Sequence, residues 1–173
     1  MKSIFLSLIL LVLTATVSAQ EFRGLSDLPM KAAEDYKMAE PTVRECIKYL
    51  LSHAPDESDV SAYNAEMFIT KWMNGTPTYW FYIDVDAVKH SQKSARLQGS
   101  CIASMIKAAL DNPNLAKDAK ALKLIAYKTF AEYCADPKYK VKQTGATKKL
   151  ITANEKGQLE SYLDWSFLAN VKK

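Results

Sequence analysis

The stretch PTYWFYIDV, residues 77–85, decides the fold, because it is the run in the chain that reads as a β-strand. Tyr79, Phe81, Ile83 and Val85 alternate with Trp80, Tyr82 and Asp84. That is the two-residue period of a pleated chain, in residue types that suit it. No second convincing run of this kind exists to pair with it, and a lone strand has no ladder to occupy its backbone. The stretch is therefore expected to be a single extended segment, near residues 78–85, laid across helices, and the fold all-α.

Working outward, every flanking segment has helical spacing. In residues 42–53, Val43, Cys46, Ile47, Leu50 and Leu51 recur at three and four residues, with Pro41 at the expected start. Residues 60–73 carry Val60, Tyr63, Met67, Phe68 and Trp72 as the apolar face, with Ser58 or Asp59 as N-cap. Asn74-Gly75 followed by Pro77 is expected to supply a left-handed cap and stop. Residues 94–110 place Leu97, Cys101, Ile102, Met105, Ile106 and Leu110 on one face, and residues 115–135 do the same with Leu122, Ile125, Ala126, Phe130, Tyr133 and Cys134. These two predict a helical hairpin. Residues 147–154 and 158–167 read as shorter helices split at Lys156-Gly157, and MKAAEDYKMAE, residues 30–40, is compatible with a further one. The expectation is a compact domain of about five to seven helices, closed or stacked as irregular solenoid-like hairpins.

The N-terminal residues MKSIFLSLILLVLTATVSAQ place Lys2 before an apolar run and small residues at Val17 and Ala19, the pattern of a signal peptide cleaved after Ala19. Residues 20–173 are then one helical domain, exported to a periplasmic or extracellular space, with no stable membrane insertion after cleavage. A formal net charge of +4 is too small to demand a polyanionic partner. The lysine-rich KYKVKQTGATKK, residues 138–149, has a single interleaved aromatic, Tyr139, so nucleic acid is not expected. Three cysteines, Cys46, Cys101 and Cys134, fall on apolar helix faces and read as buried thiols, with one disulfide between some pair left open.

Two groups carry candidate chemistry. Counting back to Phe68, six aromatic rings fall within fifteen residues, and if Phe81 faces the core then Trp80 and Tyr82 point outward beside Asp84. Trp72, Tyr79, Trp80 and Tyr82 are thus either a platform for a protein, peptide or glycan, or core rings covered on both sides. Asp84, Asp86 and His90 are the best set for a metal or for acid/base work, since Asp86 and His90 share a face of a helix starting near Asp86. The competing reading makes either aspartate the N-cap of that helix. His53 suits a helix C-terminus, and Asn74-Gly75-Thr76 matches a glycosylation sequon that the helix stop explains equally well.

ECIKYLL from Glu45, FITKWMNGTPTYWF from Phe68 and NEKGQLESYL from Asn154 resemble a family of small exported α-helical proteins of unknown function from Bacteroidetes-type bacteria. The resemblance implies a Gram-negative periplasmic or secreted setting and no particular chemistry. With no GxSxG, HExxH or Cys-His arrangement and no cofactor motif, the expected function is a non-catalytic binding or protein-interaction domain using the aromatic patch around residues 72–82. The alternatives are a small periplasmic enzyme or metal-dependent hydrolase built on Asp84, Asp86 and His90, and a structural envelope or stress component.

Overall fold

Helix formation here is driven by apolar stripes that must be buried against one another. The computed structural model describes residues 21–91 and 94–170; the expected signal peptide, residues 1–19, lies outside them. Among the described residues there are seven α-helices and no β-strand: α1 (Ala33–Ser52), α2 (Val60–Gly75), α3 (Val85–Ser91), α4 (Ala95–Asp111), α5 (Ala119–Ala135), α6 (Gly145–Glu155) and α7 (Leu159–Tyr162). None of these helices is long and apolar enough to cross a membrane.

Helix α4 organises the molecule. Ile102, Ala103, Ile106 and Leu110 on one side join Val43, Cys46, Ile47 and Leu50 of α1 and Phe68, Ile69 and Trp72 of α2 in one apolar cluster. Leu97 and Cys101 on another side join Tyr127, Phe130 and Cys134 of α5 and Leu150 and Ile151 of α6 in a second. The α1–α2 and α4–α5 hairpins are thereby stacked, with α4 packed against α1, α2 and α5, and α6 added on α5. The small residues Gly99, Ser100, Ala103, Ser104 and Ala108 allow α4 to be covered on so many sides.

Several elements depart from the expected pattern. Pro41 lies inside α1 instead of starting it. The start moves upstream because the Asp35 carboxylate accepts the N–H groups of Lys31 at 2.8 Å and Ala32 at 2.9 Å, closing the first turn. Proline then costs α1 one internal hydrogen bond, which burial of the apolar stripe offsets. On α2 the inward face is Ala62, Ala65, Phe68, Ile69, Trp72 and Met73, while Val60, Tyr63 and Met67 are exposed.

Gly75 is not a left-handed cap. It is the last residue of α2, and the residues with positive φ lie elsewhere. Glycine stands there because the Tyr36 ring of α1 occupies the space a side chain would need: a Cβ would meet Tyr36 Oη at 2.0 Å. By contrast, Gly157 does adopt φ +66° and splits α6 from α7 as its sequence suggests.

The expected helix over residues 158–167 is broken after Tyr162. Leu163 is buried, and a 3-10 turn, Ser166–Asn170, follows. The cause is polar: the N–H of Asp164 donates to Asp86 of α3, and its C=O accepts from Lys123 of α5, so neither is free to continue a helix.

Candidate functional site

The extended segment between α2 and α3 forms the candidate site. Its inward side follows the alternation: Tyr79 and Phe81 are half-buried and pack on the Trp72 indole, with ring centroids 5.8 and 6.2 Å away. Trp72 itself has no exposed surface, and its indole N–H donates to the Tyr36 C=O at 2.8 Å. Trp72 is therefore the anchor beneath the segment and no part of a binding surface.

Trp80 faces outward with 65% of its surface exposed. Tyr82 leans sideways, 5.6 Å from the ring of Phe167. The two-residue register ends at Phe81: Ile83 and Val85, expected inside, are exposed, because Asp84 closes the segment as the N-cap of α3. Its Oδ1 accepts from the N–H groups of Asp86 at 3.1 Å and Ala87 at 3.2 Å.

Beneath the segment lies a buried charge cluster centred on Lys123. Its Nζ lies 2.6 Å from Asp84 Oδ2 and 2.7 Å from Asp86 Oδ2, donates also to the Asp164 C=O, and has the rings of Tyr127, Trp165 and Phe167 at 5.0–5.4 Å. Tyr127 Oη donates to Asp84 Oδ1 at 3.1 Å. Burial and the nearby Cys101, Asp84 and Asp86 raise the Tyr127 phenol well above its ordinary range. Burial alone would raise Asp86 too, but the polar groups around it, the His90 ring at 3.7 Å, the Lys123 ammonium and the Asp164 N–H, hold its carboxyl well below the usual carboxylate range.

This arrangement answers the question of metal or acid/base chemistry at Asp84, Asp86 and His90. The structure does bring the three together, but Lys123 holds the cation position between the two carboxylates. His90 is fully buried, its Nε2 stands 3.7 Å from Asp86 Oδ1, and rings of Tyr127 and Tyr162 cover it at 6.1 and 5.6 Å. A base so enclosed has no path to a substrate. Among the described residues no group of three or more His, Cys, Asp or Glu side chains is placed to hold a metal ion.

Asp84, expected outside beside Trp80, is instead sequestered, its side chain 7% exposed. The cysteines are free and buried. Burial pushes the thiols of Cys46 and Cys134 up to about 12. None of the three is a nucleophile. His53, exposed, stacks on Tyr49 at the end of α1.

Two concavities flank the segment. One, between it and α4, α5 and Phe167, is lined by Trp80, Tyr82, Met105, Leu122, Tyr127 and Phe167 among others. It holds about 440 Å³ of empty space, of which about 50 Å³ is wide enough for the centre of a water molecule. That is a slot for one apolar side chain. The other is a wider, more open groove with about 690 Å³ of empty space, lined by Met73, Asn74, Thr76 and residues 79–83.

Lys123, Tyr127 and Phe167 are the site residues that sequence reasoning did not single out. The available signal was a lysine in register with Ala126, Tyr127, Phe130 and Cys134 on the buried stripe of α5, a position where an unpaired charge is not tolerated. No family model, curated protein or solved structure matches the chain.

Proposed function

We propose that the protein is an exported, non-catalytic interaction module that docks a partner polypeptide on the aromatic face formed by Trp80, Tyr82 and Phe167. The observation that carries this reading is the exposure of Trp80, 65%, at the mouth of an apolar slot whose walls are fixed by the Lys123 cluster. A large ring held at the rim of a preformed slot supplies contact area at little entropic cost, the pattern of an interface hot spot. Ile83, which lines the neighbouring groove with Trp80, is about half exposed and adds apolar surface beside it.

A polypeptide suits the site better than a glycan. The carboxylate of Asp84, which lines the slot with Trp80, is 7% exposed and bonded to Lys123, Tyr127 and the cap of α3, so it is not presented to sugar hydroxyls. Export is supported by the signal-peptide pattern of residues 1–19. The test is selection of short random peptides displayed on phage against the wild-type protein, with Trp80→Ala as counter-target. Peptides that enrich on the wild type and not on Trp80→Ala support the reading; enrichment on both alike, or on neither, overturns it.

A further inference from the structure

Helices α6 and α7 part at Gly157, whose φ of +66° turns the chain sharply, and between them lies an open groove with about 790 Å³ of empty space. Its floor is the half-buried Tyr162 ring, held by its O–H donating to the Ala146 C=O at 3.4 Å, with the Lys89 ammonium 4.8 Å from the ring centroid. Lys148, Lys149 and Lys156 line the α6 side, Gln158 and Ser161 the α7 side, and all five are exposed. No carboxylate of a described residue lines it.

Helix stability does not call for these cations. Lys148 closes the first turn of α6 and Lys149 follows it, at the end where the macrodipole is positive and no acidic residue stands. Of the three, Lys156 alone sits at the end that favours a cation. Ion pairing does not explain them either: among the described residues Lys89, Lys107, Lys120 and Lys123 have carboxylate partners, and these three do not. The groove therefore concentrates positive charge that the fold itself does not use.

The surroundings narrow the partner. Residues 137–156 hold six lysines and one acidic residue, Glu155, so the positive field extends beyond the groove. Residues 137–163 contain no arginine to fork onto a phosphate and no exposed ring on which a base or sugar could stack. None of the large apolar side chains exposed among the described residues lies on α6 or α7, so this face has nothing to bury in a bilayer.

We infer that the groove between α6 and α7 docks an extended acidic segment of a polypeptide, whose carboxylates meet Lys148 and Lys149 at one end and Lys156 at the other. Two helical turns separate Lys149 from Lys156, about 10 Å along the axis, a distance an extended chain spans in about three residues. Acidic side chains three or four residues apart therefore reach both ends, and Gln158 and Ser161 meet the polar main chain between them. The groove shares no lining residue with the Trp80 slot, so the inference stands apart from the docking reading.

The probe is a fluorescein-labelled synthetic peptide with glutamate at every third position in a glycine-serine background, followed by anisotropy at about 0.15 M salt. Two triple variants are compared: Lys148→Gln, Lys149→Gln, Lys156→Gln in the groove, and Lys138→Gln, Lys140→Gln, Lys142→Gln in the loop before α6. Both remove the same charge from exposed positions, so both should fold. The inference predicts about tenfold or greater loss of affinity for the groove variant, about twofold or less for the loop variant, and none for Trp80→Ala. Equal losses in the two triple variants would reduce the effect to net charge and overturn the groove, as would no binding by the wild type. Loss of binding in Trp80→Ala would move the peptide to the other face and overturn it too. Displacement of the peptide by single-stranded DNA or by phosphatidylglycerol vesicles at a lower concentration of charge than by unlabelled peptide would assign the groove to another polyanion and overturn the acidic polypeptide.

Discussion

Lys123 Nζ lies 2.6 Å from Asp84 Oδ2 and 2.7 Å from Asp86 Oδ2, so a single buried ammonium ties the start of α3 to the second turn of α5. Because Asp84 also ends the aromatic segment, the same contact fixes where Trp80 stands. What looks in sequence like a metal or catalytic group is a clamp that shapes a surface.

Removing the ammonium should be costly. Lys123→Met leaves two carboxylates buried without their counter-charge, and a broken buried pair typically costs about 3–5 kcal/mol. Urea denaturation of the variant measures this; a loss under about 1 kcal/mol would mean that water already reaches the cluster.

Acid should weaken the same clamp. The Asp86 carboxyl is held well below its ordinary range in the folded chain, while in the unfolded chain it titrates near about 3.9. Its contribution is therefore fully present above that unfolded value and is lost as pH falls below about 4 toward the lowered folded value. Glu66, raised chiefly by burial, acts with the opposite sign and offsets part of this. Denaturation midpoints measured from pH 7 down to pH 3 should fall more steeply for the wild type than for Asp86→Asn, which is less stable at pH 7 and has less to lose.

Gly75→Ala is predicted to destabilise, although alanine is the better helix former by about 1 kcal/mol. The new methyl would meet the Tyr36 Oη, Cζ and Cε1 atoms at 2.0–2.7 Å, and overpacking of this kind costs about 1–3 kcal/mol. Tyr36→Phe should not relieve it, since the ring carbons remain, whereas Tyr36→Leu in the same chain should recover part of the loss. A stabilised Gly75→Ala protein would show that the ring moves freely.

The cysteines should react only on unfolding. With Cys46, Cys101 and Cys134 buried and their thiols raised by burial, an aromatic disulfide reagent at neutral pH should label none of them in the folded protein within minutes and all three in denaturant. Rapid labelling of one thiol in the folded chain would contradict its burial.

Much of the architecture was legible because helical period and burial are the same fact seen twice. The α4–α5 hairpin, the split at Gly157 and the lone extended segment follow from spacing and punctuation alone. The sequence misleads where a tertiary partner overrides a local rule. Gly75 resembles a left-handed cap yet is required by Tyr36, and Pro41 resembles a helix start yet lies inside α1 because Asp35 caps it further upstream. Residues 158–167 have a helical pattern yet break where Asp164 gives its backbone to Asp86 and Lys123.

The site was half legible for the same reason. Alternation correctly separates Trp80 from Tyr79 and Phe81, but it cannot show that a lysine thirty-nine positions after Asp84 will occupy the space between two aspartates. Nor can it show that Trp72 sits beneath the segment instead of beside Trp80.

The most direct test of the account is iodide quenching of tryptophan fluorescence, wild type against Trp80→Phe. Trp72 is fully buried, Trp165 is half-buried and Trp80 is 65% exposed. The account predicts that most of the quenchable emission disappears with Trp80, while urea denaturation shows stability changed by no more than about 0.5 kcal/mol. Emission quenched equally in both proteins, or a loss of about 3 kcal/mol or more on substitution, would place Trp80 in the core and remove the docking face.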